Sequence, residues 1–531
     1  MKLNRIAAGL VIACLPLATQ ANQSLVSPGY SASIGGVSNR GSVHSSSHNP
    51  AVNRVLIKEG DRFRMGYLSN IGGYIELGDA DDLLDELDEL VDDLDAADEI
   101  TDNFTPQRLI DRYGPGLTEV QYYEEIAERI NTQTLSKLEK GGSISFGGQV
   151  QAPLTPFLFN SELARGTFSL NASASVQARL NFIGSPFGVR TTIAGAGDLN
   201  IPLGGDLKGV YDEIDGIINN SQLSKQDQVS EVRQILESRQ GLATQENIAT
   251  LDNMQSDPNN LNFDDAEFDL VTDSGMQGRY AVVAHLGLGY GASMTDLFDL
   301  DRSWGEFDAG VRFNYYQVEA GRSFYSLQAD ADADDDDDIF DDFVDQLKDE
   351  TNTNNLIGLD LGMLWHRGNY QAGITFYNLN EPEVSYSDMS GFLNGKTLDA
   401  AQRLEGEGKL SLDDKVTLTR HAVIEGSWMT RNQRWTLNGY ATLGTATNFV
   451  GDEYRNVGVS AAYNSGGWFL PGLRAGYNKN LAGTELSSIN LGGTFFGILN
   501  ADVAFSTETN SFDGTDVPRY LAFSLGFEER F

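Results

Sequence analysis

The sequence is poor in cysteine, in basic residues and in long apolar stretches. One cysteine, Cys14, occurs in the 531 residues, and Lys and Arg together number 37 against 76 Asp and Glu. This excess of acid excludes binding of nucleic acid, or of an anionic membrane surface, through positive charge. Beyond the N-terminus, no run approaches the roughly 18 consecutive apolar residues that a membrane-spanning helix needs. The sequence is therefore not that of a nucleic-acid-binding protein or a helical membrane protein.

The N-terminus has the pattern of a secretory signal peptide. Lys2 and Arg5 form a charged start, an apolar core follows over 6–17, and small residues end the segment at Ala21. We predict cleavage after Ala21, which leaves an exported chain without disulfides, a thiol nucleophile or a redox pair. The alternative is a lipoprotein site in which Cys14 becomes the acylated first residue, but the site after Ala21 is favoured.

Long strands of alternating polarity dominate the rest of the chain. Residues 167–182 alternate apolar and polar side chains without a break, and 62–77 and 279–291 repeat the pattern. Globular strands are typically about five or six residues long, whereas a strand that crosses a membrane needs about 9–11 alternating residues. With 27 Phe and 20 Tyr the chain is also too aromatic to be disordered. The sequence therefore predicts an all-β fold, a transmembrane antiparallel barrel.

One predicted strand carries glycines at alternate positions. Gly287, Gly289 and Gly291 share the lumen-facing side of 279–291. A GxGxG sequence inside a strand lacks the helix that a nucleotide-binding loop requires. Glycines in a strand instead mark a bend or the close approach of another backbone, which here indicates a plug against the barrel wall.

The end of the chain resembles the terminal strand that the bacterial barrel-assembly machinery recognises. Ser524, Gly526 and the final Phe531 stand at the positions of its polar residue, its glycine and its terminal aromatic. Glu529 replaces the usual penultimate aromatic. The resemblance implies insertion into the cell outer membrane, with membrane lipid and the barrel-assembly machinery as partners.

Fifteen segments are candidate strands, whereas single-chain bacterial barrels have an even number. Omitting the weakest, 143–152, gives about fourteen strands, with sixteen as the alternative. We then expect the inserts 201–278, 328–354 and 379–414 to lie outside the cell, and the turn 184–187 to lie in the periplasm. The candidates are 61–78, 143–152, 166–183, 188–200, 279–293, 303–327, 355–366, 369–378, 415–429, 433–446, 454–465, 470–481, 485–496, 499–508 and 518–531.

Helical periodicity predicts helical inserts near 79–140, 201–278 and 328–354. Residues 79–99 hold twelve acids and no base, with leucines at helical spacing on one face, and 330–350 hold twelve acids and one lysine. These two segments therefore carry more than half of the net charge of −39. We interpret them as solvated acidic inserts in loops, with the apolar stripe of the first packed against a neighbouring insert.

The acidic run at 330–338 raises the question of a cation site. Asp330, Asp332 and Asp334 present alternating carboxylates, which suit a hard cation. An EF-hand loop beginning at Asp330 would need Gly at its sixth position and Glu at its twelfth, where this sequence has aspartates. We predict a solvated loop with no metal and no cofactor, and keep the three aspartates as weak cation candidates.

Catalytic patterns are scarce in the sequence. The histidines are scattered, and HExxH, GxSxG and SxxK motifs are absent. Some membrane barrels hydrolyse lipids or peptides with a histidine near the lumen rim beside Ser or Asp, which makes His285 and His366 the candidates to consider. A single histidine in a strand is more often a lumen or rim residue, so we predict no catalytic residues and no enzyme.

Four short motifs, in order along nearly the whole chain, carry a family resemblance. The first is Asn49-Pro50-Ala51, which follows a Gly/Ser-rich start, and the second is the acidic segment 81–85. The others are 377–382, Tyr-Asn-Leu-Asn-Glu-Pro, and the pair 454–456 and 473–477. The chain resembles the TraF-type plasmid (conjugal) transfer barrels and, more widely, the FadL-type long-chain fatty-acid transporters.

The resemblance implies a signal peptide (1–21), an N-terminal hatch or plug (22–60) and an outer-membrane barrel (61–531). It suggests a hatch-gated channel for a small apolar molecule, although no residue of this sequence maps onto a fatty-acid site. The alternative is a structural or partner-binding component of a plasmid-transfer apparatus, without transport, whose acidic inserts bind other proteins. An open porin is a third hypothesis, disfavoured by the hatch-like start.

Overall fold

Strict alternation of apolar and polar residues produces fourteen antiparallel strands that close into a barrel, as the computed structural model of the chain shows. Each strand pairs with its neighbours in sequence, and the first pairs with the last. The predicted count of fourteen is thus confirmed. The structure describes residues 33, 37–57, 61–79, 130–194, 197–202, 213, 216–217, 220, 222–239, 243–256, 262–331, 339–432, 434–464, 471–512 and 515–527.

Two of the barrel strands are interrupted, so that each consists of two segments in line. The strands are β1 (Phe63–Met65 and Leu68–Leu77), β2 (Ser143–Gln151 and Phe157–Ser161), β3 (Gly166–Ile183), β4 (Gly275–Ser293), β5 (Glu306–Ser326), β6 (Thr351–Arg367), β7 (Tyr370–Tyr377), β8 (His421–Met429), β9 (Trp435–Leu443), β10 (Asn456–Tyr463), β11 (Gly472–Asn480), β12 (Ser487–Phe495), β13 (Leu499–Ser506) and β14 (Tyr520–Phe527).

The two faces of the wall differ in chemistry. Outward positions carry exposed apolar side chains, such as Leu288 on β4 and Phe523 on β14. Inward positions carry buried polar ones, such as Asn171 on β3 and Asp360 on β6. An apolar exterior around a polar interior is the pattern of a barrel whose outer face meets lipid. No helix in the described ranges is both long and apolar enough to cross a membrane.

One strand assignment from the sequence is wrong. Residues 143–151 form a full barrel strand, whereas 188–200 lie outside the barrel, in a small sheet of Gly188–Ala194, Gly197–Pro202 and Asn262–Val271. Local alternation does not distinguish the two, because pairing partners decide which strand joins the barrel. The count of fourteen was still right, because one true strand, 143–152, was omitted and one false strand, 188–200, was included.

The turn at 184–187 is also placed at the wrong end by the sequence. Ser185 accepts a hydrogen bond on its carbonyl from the hydroxyl of Thr272 at 3.0 Å, and its amide donates to Ser274 Oγ at 2.8 Å. These bonds tie the end of β3 to the start of β4. The turn therefore begins the insert 184–274 and lies at the same end of the barrel as the other long inserts.

The connections between consecutive barrel strands divide into two sets by the end of the barrel at which they lie. Seven meet at what we call the long-loop end, namely 78–142, 184–274, 327–350, 378–420, 444–455, 481–486 and 507–519. The other six lie at the short-turn end, where β1 begins and β14 ends, namely 162–165, 294–305, 368–369, 430–434, 464–471 and 496–498.

Helices occupy the inserts and the N-terminal segment. They are α1 (Ser45–His48), α2 (Asn53–Leu56), α3 (Ser136–Gly141), α4 (Lys225–Ser238), α5 (Gln245–Ser256), α6 (Met294–Leu297), α7 (Leu327–Ala331), α8 (Ile339–Asp349) and α9 (Gly395–Gly406). A π-helix spans Ile130–Leu135, and 3-10 turns span Pro50–Val52, Arg302–Trp304 and Met389–Gly391. Helices thus occur in all three predicted inserts, and the sequence analysis missed α9.

Several predictions fall outside the described residues. These are the signal peptide 1–21, the acidic helix of 79–99 beyond its first residue, the cation candidates Asp332 and Asp334, and the terminal Phe531. Asp330 lies in α7. Among the described residues, no group of three or more His, Cys, Asp or Glu is arranged to hold a metal ion.

Candidate functional site in the barrel lumen

Residues 37–57, here called the N-terminal segment, lie inside the barrel. Asn49 ends α1 and begins the next turn, because its side-chain Oδ1 accepts a hydrogen bond from the amide of Ala51 at 3.0 Å. Pro50 follows at the first helical position, where a missing amide hydrogen costs nothing. The tripeptide that the sequence singled out therefore forms a tight corner between α1 and α2.

Three glycines of the wall form the seat for this corner. Gly310 on β5 pairs with Gly291 on β4 and with Gly362 on β6. A Cβ at Gly291 would lie 2.7 Å from the carbonyl oxygen of Pro50, and a Cβ at either of the other two would overlap Pro50 or Asn49. The missing side chains let the backbone approach the wall, which is the close approach that the glycine pattern predicts.

Glu425, buried on β8, holds the segment two strands along the wall from β6. One carboxylate oxygen accepts hydrogen bonds from Ser38 Oγ at 2.7 Å and Asn49 Nδ2 at 3.1 Å, and the other accepts from the amide of Ser38. Gln371 Nε2 donates to the carbonyl of Ser38 at 2.7 Å, while its own oxygen accepts from Arg40 Nε at 3.1 Å. A buried carboxylate is retained only where several donors satisfy it, and here the N-terminal segment supplies them.

An ion pair in the wall fixes the end of α1. Arg312 on β5 donates to Asp360 on β6 at 2.8 and 3.0 Å, and both side chains are almost fully buried. Arg312 Nη1 also donates to the carbonyls of Ser46, at 3.2 Å, and Ser47. The cation thus satisfies helix-end carbonyls that have no partner within the helix.

A second anchor lies on the other side of the lumen. Asp502 on β13 accepts from Arg474 on β11 at 3.0 Å and from the hydroxyl of Ser33, and Arg474 Nε donates to Ser33 Oγ at 2.9 Å. The carbonyl oxygen of Ser33 would be 2.7 Å from a Cβ at Gly476. The chain before strand β1 therefore contacts both β4–β8 and β11–β13 and spans the lumen.

Apolar contacts fill the space between the segment and the wall. This cluster consists of Val43, Ala51, Val52, Leu56 and Ile57 from the segment, with Leu158 of β2 and Leu364 of β6. Its members are buried, so the segment carries a small core of its own. Polar anchors and this core together hold the segment against the inner wall.

Loop residues also pack on the inner wall nearer the long-loop end. The wall there carries an apolar patch, which comprises Ala281, Val283, Tyr316, Val318 and Ala320. Loop residues cover it, namely Val384, Tyr386, Val416, Leu418, Phe449 and Val450. The ring of Phe449 packs edge-on against Tyr316 with centroids 5.5 Å apart, and its carbonyl accepts from Tyr386 Oη at 2.6 Å.

Two arginines tie these loops down. Arg322, fully buried on β5, donates to the carbonyls of Ser387 at 2.9 Å, Ser411 at 2.7 Å and Leu412. Arg279 on β4 forms an ion pair with Asp414. Since all four partners lie in 378–420, this insert is held over the lumen by contacts to the wall.

Comparison with known families identifies the chain. Residues 47–441 match the family described as "F plasmid transfer operon, TraF, protein". The chain belongs to this family. A search of curated proteins gave no match.

Several solved structures are similar to this family member at low sequence identity. The toluene transporter TbuX of Ralstonia pickettii is 10% identical, with a TM-score of 0.36 over 96% of this chain and 99% of that one. A FadL homologue of Pseudomonas aeruginosa is 12% identical, with a TM-score of 0.34 over 96% and 98%. A mutant of the monoaromatic hydrocarbon channel TodX is 10% identical, with a TM-score of 0.33 over 95% and 97%.

The two candidate histidines of this TraF-family barrel lie apart. His285 on β4 contacts Ser173 Oγ through Nδ1 at 3.2 Å and Asn314 Oδ1 through Nε2 at 2.9 Å, and it stacks on Tyr316. Because Asn314 Nδ2 donates to Asp360 at 2.7 Å, its oxygen faces His285, so the proton of the ring is on Nε2. His366 instead lies at the end of β6, near the short turns, with Nε2 3.2 Å from Asp308.

The residues that the sequence singles out at 49–51, 524 and 526 lie on the inner side of the barrel. The structure brings Asn49, Pro50 and Ala51 together at the wall, and places Ser524 and Gly526 on the inner side of β14. The sequence-based prediction did not include Glu425, Arg312 or Asp360, although each is a charged residue at an alternate, lumen-facing position of a predicted strand. Charge at such a position was the available signal, because a buried charge needs a partner.

Proposed function

We propose that this barrel is an outer-membrane channel for small apolar molecules and that the N-terminal segment is its hatch. The observation that carries the proposal is the apolar patch at the long-loop end of the lumen. Barrel interiors are normally polar, so an apolar patch inside one needs a reason. An apolar solute that replaced the loop side chains would contact the aliphatic surface of Val283, Val318 and Ala320.

The path through the barrel would have two closures in series. Outward displacement of 378–420 and 444–455 would uncover the patch and admit the solute. The hatch would then have to leave its seat at Gly291, Gly310 and Gly362. Its anchors are hydrogen bonds and a small apolar core, which are individually modest and therefore reversible.

A binding assay tests the ligand class. The fluorescent probe N-phenylnaphthylamine should bind the purified barrel with a capacity that Val318→Asn lowers several-fold, because the amide is buried in the apolar patch without a partner. Val318→Leu, which keeps the patch apolar, is the matched control and should bind as before. Equal binding by all three proteins would contradict the proposal.

Removal of the hatch tests the gating. A chain that lacks 37–57 but keeps its exported start should form pores of increased conductance in planar bilayers, since the deletion leaves only the loops across the lumen. Unchanged conductance would mean that the segment is not the barrier. An open porin would conduct before any deletion.

We propose no reaction for the chain and a structural role for His285. Wall side chains occupy both of its ring nitrogens and its face stacks on Tyr316 at 5.0 Å, so the ring joins β3, β4 and β5. The purified barrel should not hydrolyse p-nitrophenyl butyrate. Hydrolysis that Ser173→Ala abolished would show instead that Ser173 and His285 act as nucleophile and base.

A second candidate function follows from the family. Its description refers to a plasmid transfer operon, and we keep as the alternative a partner-binding component of a transfer apparatus without transport. The acidic inserts 79–99 and 330–350 would then be the surface for other proteins. Loss of mating after their deletion, with an intact barrel and unchanged probe binding, would favour this role.

The proposed function requires export of the chain and its insertion into the outer membrane. The signal peptide would be cleaved after Ala21, and the barrel-assembly machinery would recognise Ser524, Gly526 and Phe531. Phe531→Ala should slow the appearance of a heat-modifiable band in the outer-membrane fraction. Mass spectrometry of the mature N-terminus distinguishes cleavage after Ala21 from acylation of Cys14.

A further inference from the structure

A groove of about 850 Å³ crosses the outer face of β9–β14 near the short-turn end. Its floor consists of small residues, with Ala461 paired to Ala475 and Gly493 paired to Ala501 on neighbouring strands. Larger side chains form its borders, among them Trp435, Tyr463, Leu473, Phe495, Val503 and Phe523. The depression follows from this sequence, because small residues in four consecutive strands lower the surface between larger ones.

The groove offers apolar contacts only. Behind its floor, Arg474 and Asp502 face the lumen and are buried in their own ion pair at 3.0 Å. The outer side is apolar and open, with 57% of Phe523 and 56% of Leu473 exposed. An occupant therefore has to be apolar along the groove, and it lies in the band of the wall that faces lipid.

One end of the groove meets positive charge. Trp435 and Tyr463 close that end with ring centroids 4.9 Å apart, in the manner of the aromatic residues at a membrane interface. The turn before Trp435 has the sequence Thr-Arg-Asn-Gln-Arg, and Arg431 and Arg434 are both exposed. In a chain with a net charge of −39, two arginines and no acid in this turn stand out.

We propose that the groove binds one phospholipid of the membrane leaflet at the short-turn end. Its acyl chain lies over Ala461, Ala475, Gly493 and Ala501, and its phosphate contacts Arg431 and Arg434. Guanidinium groups suit this role because they bind phosphate through paired hydrogen bonds. The site is separate from the lumen and does not depend on the proposed transport.

Native mass spectrometry of the full-length barrel in mild detergent tests this. After addition of phosphatidylglycerol, the unaltered protein should retain one phospholipid. Ala475→Phe, which fills the floor, should retain none. Ala284→Phe, at an exposed small residue on the outer face of β4, is the matched control and should retain one. A heat-modifiable band shows that each variant is folded.

The arginines are tested separately. Replacement of both Arg431 and Arg434 by Gln should weaken retention about thirtyfold, from roughly fivefold for each positive charge at a lipid surface. No retained lipid in the unaltered protein, or retention by Ala475→Phe, would overturn the proposal. A dimer that Ala475→Phe dissociates would also overturn it, since the groove would then be a contact between two copies of the chain.

Discussion

At the residue scale, docking of the N-terminal segment in the lumen depends on glycines of the wall as much as on its polar side chains. Gly310 has no Cβ where the backbone of Pro50 and Ala51 passes, and its two paired neighbours are also glycine. Interiors are close-packed, so one added methyl group at such a contact has to displace its neighbour. Strand β5 is hydrogen-bonded to β4 and to β6 at Gly310 and cannot shift easily. The N-terminal segment is therefore the part that would move.

Gly310→Ala should therefore loosen the N-terminal segment. Overpacking of this kind typically costs about 1–3 kcal/mol, and here the cost falls on docking of the segment. We expect faster proteolysis within 37–57 and a higher conductance in bilayers, with an unchanged heat-modifiable barrel. Gly426→Ala on β8 is the control, since a Cβ there meets nothing closer than 3.9 Å. Equal behaviour of the two variants would refute the close-packed seat.

His48 makes docking of the same segment depend on pH. Burial first, and then the positive charges of Arg312 and His44, lower its pKa from 6.5 to about 4. The docked state disfavours the protonated ring of His48. The neutral ring therefore contributes fully to the free energy of docking above pH 6.5, and this contribution is lost as the pH falls towards 4. Proteolysis within 37–57 should accelerate over that interval. His48→Gln should remove the part of the pH dependence due to this ring, and an unaltered profile would contradict the assignment.

At the element scale, the insert 378–420, here called the lid, is held to the wall by side chains of β4, β5 and β6. It contains α9 and a two-stranded pairing of Glu383–Ser385 with Lys415–Thr417, and its apolar residues pack over the inner wall. Arg322 reaches it from β5 and donates to three of its backbone carbonyls. Arg322 is fully buried and is shared by three carbonyl acceptors, so it is an important polar attachment of the lid.

Arg322→Met should free the lid without unfolding the barrel. A buried carbonyl that loses its donor costs about 1–3 kcal/mol, so opening of the insert should become at least about tenfold more frequent. Trypsin cleavage after Lys409, followed with time, measures it. Arg420→Met is the control, because Arg420 is largely exposed in its pair with Glu381 at 3.5 Å and such pairs contribute little. Equal cleavage rates would mean that Arg322 does not hold the lid.

At the scale of the whole molecule, the sequence was sufficient for the architecture and insufficient for its details. Alternation over 167–182 and 279–291 predicted β3 and β4, because a lipid-facing wall imposes a period of two. The omission of 143–152 and the inclusion of 188–200 were both wrong, since both segments alternate and only their pairing partners differ. Loop elements such as α9 escaped because they fold on the barrel and not by local propensity alone.

The candidate site was predictable only in outline for a similar reason. The glycines on 279–291 and Asn49-Pro50-Ala51 indicated a plug against a wall. The partners Glu425 and Arg312 are more than 250 residues away along the chain from Ser38 and Ser46, to which they bond. Contacts between residues so far apart follow from closure of the barrel, which places β8 and β5 around the segment.

Closure of the barrel depends on the last strand, β14. Strand β14 pairs with β13 on one side and with β1 on the other, where Leu525 pairs with Ile71. Without β14, the facing edges of β1 and β13 would carry unpaired amide and carbonyl groups, which lipid cannot satisfy. Deletion of 520–531 should therefore abolish the heat-modifiable band and leave the chain outside the outer-membrane fraction. Shortening the hairpin of Thr509–Phe512 and Thr515–Pro518, which lies outside the barrel, should leave both unchanged. A heat-modifiable barrel without β14 would mean that another segment closes the wall.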